Sequence, residues 1–207
     1  MSKPSEESGL SRRALLSGSV ALVPLLATSC SSTTSSASSP RVVDSVFTVQ
    51  ERATLQALVD RLLPADEFSP AASECGVLDY FDRCLSEWNQ GDVPLLRAAV
   101  AALQAQALER GGEFATLDVD TQDALLVAME AGQFPAAAGQ AGFNRLLRLT
   151  LEGMFSDPYY GGNRHYAGWD LIGYPGAVPA ATPPMQAMGG RLPALHTSAY
   201  GAEHDGH

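Results

Sequence analysis

Residues 48–64 read Thr-Val-Gln-Glu-Arg-Ala-Thr-Leu-Gln-Ala-Leu-Val-Asp-Arg-Leu-Leu-Pro. Thr48 and Glu51 have the spacing of a capping box, in which each side chain binds a backbone N–H that the first helical turn leaves unpaired. Apolar residues then recur at intervals of three and four, which is the period of one face of an α-helix. Pro64 ends the run because proline donates no backbone hydrogen bond. The stretch predicts an amphipathic helix that begins after Thr48.

The same period recurs four more times along the chain. Helix starts are predicted at Ser69-Pro70, at Pro94, after Asp118 and at Gly142, because proline and aspartate suit the first turn of a helix. No stretch alternates with period two, so no strand is predicted. The residues predicted to face the core are Val77, Tyr80, Phe81, Cys84, Leu85 and Trp88, then Leu96, Val100, Leu103 and Ala107, then Leu125, Leu126 and Met129, and finally Phe143, Leu146, Leu147, Leu151 and Met154.

The predicted fold is therefore all-α: a bundle of five to six helices with an extended loop rich in Gly, Tyr and Trp and an irregular C-terminal arm. The helical domain is assigned to residues 47–176. Residues 177–207 are rich in Ala, Pro and polar residues without a pattern, and they predict an extended tail that stays loose or lies along a partner.

Residues 1–29 have the pattern of a signal peptide. Arg12 and Arg13 are adjacent and precede an uncharged stretch that Gly18 and Pro24 interrupt, so the stretch is too short and broken for a membrane span. Paired arginines before such a stretch are typical of the twin-arginine route, which exports folded proteins. The sequence predicts export to the bacterial periplasm.

Residues 30–46 are predicted to be a Ser/Thr-rich linker, and two interpretations of Cys30 remain open. Leu26 to Cys30 resembles a lipobox, in which Cys30 would carry lipid and anchor the chain to the membrane. The alternative is an ordinary signal peptide that is cleaved near the same Ala-Thr-Ser stretch. In the first case the linker would serve as a flexible tether.

The other two cysteines, Cys75 and Cys84, are nine positions apart. Within one continuous helix they would lie on opposite faces and about 13 Å apart along the axis, too far for a disulfide. Each is interpreted as a buried thiol, as half of an intermolecular bridge, or as linked to the other only if the helix begins between them.

Charge and missing motifs exclude several functions. The chain has a net charge of −10, so nucleic acid is an unsuitable partner. It contains no haem-attachment, zinc-protease, dinucleotide-binding, phosphate-loop or nucleophile-elbow motif. His204 and His207 belong to a polar tail, and Asp79 and Asp82 are expected on solvated helix faces. The sequence predicts no catalytic, cofactor-binding or metal-binding site in this chain.

The densest segment follows the fifth helix. Between residues 159 and 174 it carries five large aromatic rings among glycines that permit close backbone contact. Such rings are typical of protein–protein interfaces, although a loop folded back over its own helices, with Trp169 capping the core, is the alternative. The residues predicted to bind a partner are Tyr159, Tyr160, Gly161, Gly162, Asn163, Trp169, Tyr174, Pro175 and Gly176, with Trp169 as the central anchor.

From Phe47 to Gly176 the chain resembles the gluconate 2-dehydrogenase subunit 3 family, the small subunits of membrane-associated FAD-dependent sugar and sugar-acid dehydrogenases. Two features carry the resemblance. The first is the helix that ends at Pro64 and is followed by the acidic turn Ala65-Asp66. The second and more specific one is the run from Phe155 to Asn163, followed by Gly168-Trp169 and by Gly173-Tyr174-Pro175-Gly176.

The resemblance implies a non-catalytic role. In this family a large subunit of the glucose-methanol-choline oxidoreductase type carries FAD and the active site, and a cytochrome c subunit with haem often passes electrons onward. The small subunit supplies the export signal, helps the large subunit mature and stays bound to it. Two rival hypotheses remain: a stand-alone periplasmic lipoprotein that binds a small ligand in the aromatic loop, and an enzyme with an unrecognised site.

Overall fold

The computed structural model describes residues 45–134, 138–186 and 192–201. Six α-helices form the framework of this part of the chain, joined by turns and short 3-10 helices. They are α1 (Val49–Leu62), α2 (Val77–Glu87), α3 (Val93–Leu108), α4 (Val119–Glu130), α5 (Ala138–Phe155) and α6 (Ala167–Ile172). The described residues contain no strand beyond one isolated bridge between Gly176 and Thr197, so the all-α prediction is confirmed.

Helix α5 is the centre of the bundle, since it contacts each of the other five helices. Phe143, Leu146 and Met154 are buried on its inner face as predicted, together with Leu149. Leu151 was predicted to lie inside, but it is 40% exposed. The prediction was wrong because Leu151 lies about 140° around the helix from Leu146, on the outer side.

Local capping signals placed three helix starts correctly. The Thr48 hydroxyl accepts a bond from Glu51 N at 3.2 Å, and the Glu51 carboxylate accepts one from Thr48 N at 2.8 Å, which completes the capping box of α1. Asp118 caps α4 by accepting a bond from Thr121 N at 3.0 Å. Helix α3 begins at Val93, with Pro94 in its first turn.

The predicted start of the second helix at Ser69-Pro70 was wrong, because α2 begins only at Val77. The carboxylate of Asp60 binds both the backbone N–H and the hydroxyl of Ser73, at 2.9 and 2.8 Å. Gly76 then takes a left-handed conformation, with φ of 78°, and separates this turn from the helix. Contacts with a neighbouring helix therefore override the local signal.

Cys75 and Cys84 are both buried and free. Helix α2 does begin between them, yet the two thiols are not linked to each other, and both are buried as the first interpretation expected. Burial raises the pKa of both thiols. Trp88, which was assigned to the core-facing stripe, lies just past the end of α2 and is 45% exposed.

None of the described helices combines the length and the apolar character needed to cross a membrane. The predictions for Arg12, Arg13 and Cys30, for residues 30–44 of the linker, and for His204 and His207 fall outside the residues that the structure describes.

Candidate partner-binding site

Residues 156–176, here called the aromatic loop, fold back over the end of α5. Asn163 holds this turn together: its side-chain N–H donates to Ser156 O at 2.8 Å, and its side-chain oxygen accepts from Gly168 N at 2.8 Å. Asn163 is fully buried. One amide side chain therefore joins the beginning of the loop to the start of α6.

Two glycines allow the loop to pack directly on the backbone of α5. A Cβ atom at Gly162 would overlap the carbonyl oxygen of Gly153, and one at Gly168 would overlap the carbonyl oxygen of Met154. Any larger residue would push the loop away from the helix end. Gly162, which was predicted to lie on the partner surface, thus serves the packing of the loop on its own domain, as Gly168 does.

The loop backbone is in an uncommon conformation. Asn163, His165 and Tyr166 all have left-handed φ angles, between 50° and 60°. Asparagine and histidine adopt this region more readily than most residues, but tyrosine rarely does. Such a backbone persists only where surrounding contacts hold it, so the shape of the loop depends on its packing.

Trp169 is only 4% exposed and covers the end of α5, where its indole N–H donates to Phe155 O at 3.0 Å. Its ring packs edge-on against Tyr174 and tilted against Tyr166, with centroids 4.8 and 5.4 Å apart. Trp169 therefore caps the core, which was the alternative to its being an exposed anchor at an interface. Tyr174, which lies beside it, is exposed.

An ion-pair network connects the loop to α1 and α2. Arg164 pairs with Asp79, and Arg52 pairs with both Asp79 and Asp82. Asp82 is buried and also accepts a bond from Ser45 Oγ at 2.7 Å. The expectation that Asp82 is solvated was wrong, because Arg52 reaches it from a helix that is distant in sequence.

Residues 192–201, here called the C-terminal strap, lie against the aromatic loop. Their main attachment is Asp157, whose carboxylate accepts from Ser198 Oγ at 2.7 Å and from Ala199 N at 2.8 Å. The same carboxylate accepts from Tyr159 N at 3.0 Å and so caps the short 3-10 helix Pro158–Tyr160. Asp157 therefore shapes the loop and binds the strap at once.

The strap also forms backbone bonds with the end of the loop. Leu195 N donates to Pro175 O at 2.8 Å, and Ala177 N donates to Thr197 O at 2.7 Å, beside the bridge between Gly176 and Thr197. The tail was predicted to stay loose or to lie along a partner. For the strap the structure instead shows contacts within the chain, because the loop offers it unpaired backbone groups.

Aromatic rings from the loop and the strap form two clusters. In the first, Tyr200 stacks on Tyr159 with centroids 4.1 Å apart, and its hydroxyl lies 2.6 Å from that of Tyr160. This hydrogen bond raises the pKa of Tyr160. In the second, the His196 ring stacks on Tyr166 at 4.6 Å, and its Nε2 lies 2.7 Å from the Asp170 carboxylate.

Next to the first cluster, an open cleft of about 620 Å³ separates the end of α2 from the end of α5. The Ser156 hydroxyl oxygen is buried there and has no hydrogen-bond partner among the described residues. Burial, and then the nearby Glu152 carboxylate, raise the pKa of Tyr80. The cleft is mainly aromatic, and its lining residues are Tyr80, Trp88, Glu152, Phe155, Ser156 and Tyr160.

The structure thus brings the predicted partner-binding residues into one region but divides their roles. Gly162, Asn163 and Trp169 build the loop from inside, and Tyr159 and Tyr160 lie at its outer side. Sequence reasoning missed Asp157, Tyr200 and His196 as parts of this site. Asp157 had a signal, since Asp-Pro after a helix predicts a side-chain-capped turn, whereas the strap residues had none.

In the described part of the chain, no group of three or more His, Cys, Asp or Glu side chains is placed to hold a metal ion.

The fold and the loop define a class: a small helical protein whose aromatic loop is packed onto the end of its central helix. A family model described as gluconate 2-dehydrogenase subunit 3 matches residues 49–176, which is more than half of the chain. The chain belongs to that family. Comparisons with curated proteins and with solved structures gave no match.

Proposed function

We propose that this chain is the non-catalytic small subunit of a periplasmic FAD-dependent dehydrogenase of the glucose-methanol-choline type. It carries a twin-arginine signal for export and stabilises the large subunit, which binds FAD and oxidises a sugar or sugar-acid hydroxyl. A cytochrome c subunit with haem receives the electrons, and the complex is held at the membrane by a partner or by lipid on Cys30.

The observation that carries this proposal is the family match over residues 49–176, which include both the helical bundle and the aromatic loop. The family is one of dehydrogenase subunits, and membership in it supports a catalytic partner. Arg12 and Arg13, ahead of an uncharged stretch, support export of a folded complex.

The test is purification of the tagged full-length chain from its native host. We expect a flavoprotein to copurify in equal amounts, together with dye-linked dehydrogenase activity and a flavin absorption spectrum. The chain made alone should be colourless and inactive. A chain that purifies from its host without any flavoprotein would refute the proposal.

Export is tested by replacing Arg12 and Arg13 together with Lys, which keeps the charge but removes the twin-arginine pattern. Both this chain and the large subunit should then stay in the cytoplasm. Normal activity of the large subunit in the periplasm would show that the signal is not shared. Mass spectrometry of the mature N-terminus decides whether Cys30 carries lipid.

A second candidate function rests on the cleft beside Trp88. Its volume is in the range of small-molecule sites, and Glu152 and Ser156 add polar residues to its mainly aromatic lining. The alternative is therefore a lipoprotein that binds a small ligand. Titration with hexoses and sugar acids, monitored through the fluorescence of Trp88 and compared with Trp88→Phe, would reveal saturable binding if this function is correct.

A further inference from the structure

The strap lies outside the family-matched segment yet covers the last part of it. The match ends at Gly176, and the strap spans residues 192–201. The contacts of residues 198–200 include Asp157, Tyr159 and Tyr160, which are inside the match. A segment beyond the family match therefore covers two of the loop residues predicted to bind the partner, Tyr159 and Tyr160.

The way in which the strap is bound shows which ligand chemistry this surface accepts. The Asp157 carboxylate accepts hydrogen bonds from one hydroxyl and one backbone N–H. An aromatic ring stacks on Tyr159, and a second hydroxyl forms a hydrogen bond with the Tyr160 hydroxyl. All of these groups come from the three consecutive residues 198–200. The surface is thus built for a short peptide that carries backbone donors and an aromatic side chain.

The strap is attached to the loop without being part of the core. No strap residue belongs to the buried apolar cluster of the helical bundle. Seven of its ten residues are exposed, and only Ser198 is buried. Segments with few buried apolar contacts and exposed hydrogen bonds open at a lower free energy than the core does, so the strap can detach while the bundle stays folded.

We propose that the strap is an intramolecular placeholder for a peptide segment of the large catalytic subunit. In the free small subunit the strap covers Asp157, Tyr159 and Tyr160. In the complex, a segment of the large subunit with an aromatic residue and backbone donors takes its place. This inference rests on the proposed function, because it takes the large subunit as the partner.

Competition by the strap lowers the apparent affinity for the large subunit. Only chains with an open strap bind, so the apparent dissociation constant is the intrinsic one divided by the open fraction. Weakening the strap without changing the loop must therefore tighten association. If the strap were instead part of the interface, the same change would weaken association.

The experiment compares three full-length chains: the wild type, the double variant Ser198→Ala with Tyr200→Ala, and Thr182→Ala as a control in the tail outside the strap. Each is titrated with the large flavoprotein subunit purified from its native complex. The double variant should bind roughly three- to tenfold more tightly, since its open fraction rises. The control should bind as the wild type does.

Hydrogen exchange of the wild-type complex provides the second measurement. On binding, amide protection should fall in residues 195–200 and be kept or increased in residues 157–160. Equal or weaker binding by the double variant, or increased protection of the strap in the complex, would overturn the inference. Failure of the wild type to bind the large subunit at all would refute the proposed function itself, and the strap inference with it.

Discussion

The Ser198 hydroxyl donates a 2.7 Å hydrogen bond to the Asp157 carboxylate, and this contact joins positions 41 residues apart in the chain. Asp157 follows the central helix, whereas Ser198 lies in a tail with no helical pattern. The contact brings the end of the chain back onto the loop that follows α5. One carboxylate thereby contributes both to the shape of the loop and to the position of the strap.

Replacing Asp157 with Ala should loosen the loop and the strap together, because the N–H groups of Tyr159 and Ala199 both donate to this carboxylate. Amide exchange at these two positions should become faster, with exchange in α3 unchanged. Hydrogen–deuterium exchange measures the effect, and Asp118→Ala is the matched control, since it removes a capping carboxylate from α4. Unaltered exchange at Ala199 would show that Asp157 does not hold the strap.

Trp169→Ala should destabilise the isolated chain by about 3–5 kcal/mol, the usual range for removing a buried Trp from a core. The side chain is buried, and its N–H bond to Phe155 O is lost as well. Urea unfolding of the full chain measures the change, and Trp88→Ala, at an exposed site, should cost much less. A variant that unfolds like the wild type but binds the large subunit more weakly would restore Trp169 as an interface anchor.

Gly162→Ala and Gly168→Ala should each destabilise the chain by about 1–3 kcal/mol, the usual cost of overpacking. In both cases the added methyl group would meet a backbone carbonyl oxygen of α5, which has little room to move. The control is Gly91→Ala, where nothing lies within 4 Å of the new Cβ. Thermal unfolding measures the melting temperatures of the three variants, and those of the two loop variants should be lower than that of Gly91→Ala. Equal melting temperatures would contradict the close packing of loop and helix.

Cys75 and Cys84 should react slowly with iodoacetamide in the native protein. Both are buried, and burial raises the pKa of each thiol, so little thiolate is present to react. Raising the pH from 7 to 9 should therefore increase their alkylation less in native than in guanidinium-denatured protein. Mass spectrometry assigns the modified positions. Rapid labelling of either cysteine under native conditions would instead indicate an accessible thiol, able to form a bridge to another chain.

Helix-forming patterns and capping residues determined most of the fold. The Thr48–Glu51 capping box, Asp118 and Pro94 act within a single turn, so they can be recognised without knowing what packs nearby. The same holds for the apolar period of α5, although the burial of Leu149 rather than Leu151 depended on where the neighbouring helices lie. The run from Phe155 to Asn163 was specific enough to indicate the family.

Only the tertiary structure decided where α2 begins, what Trp169 does and where the tail goes. Each depends on contacts between residues far apart in sequence: Asp60 with Ser73, Trp169 with Phe155, and Asp157 with Ser198. Such contacts leave no periodic signal, because a single hydrogen bond or a single stacked ring sets no spacing along the chain. The strap is the clearest case, since its residues follow no periodic pattern and its position depends on the loop against which it lies.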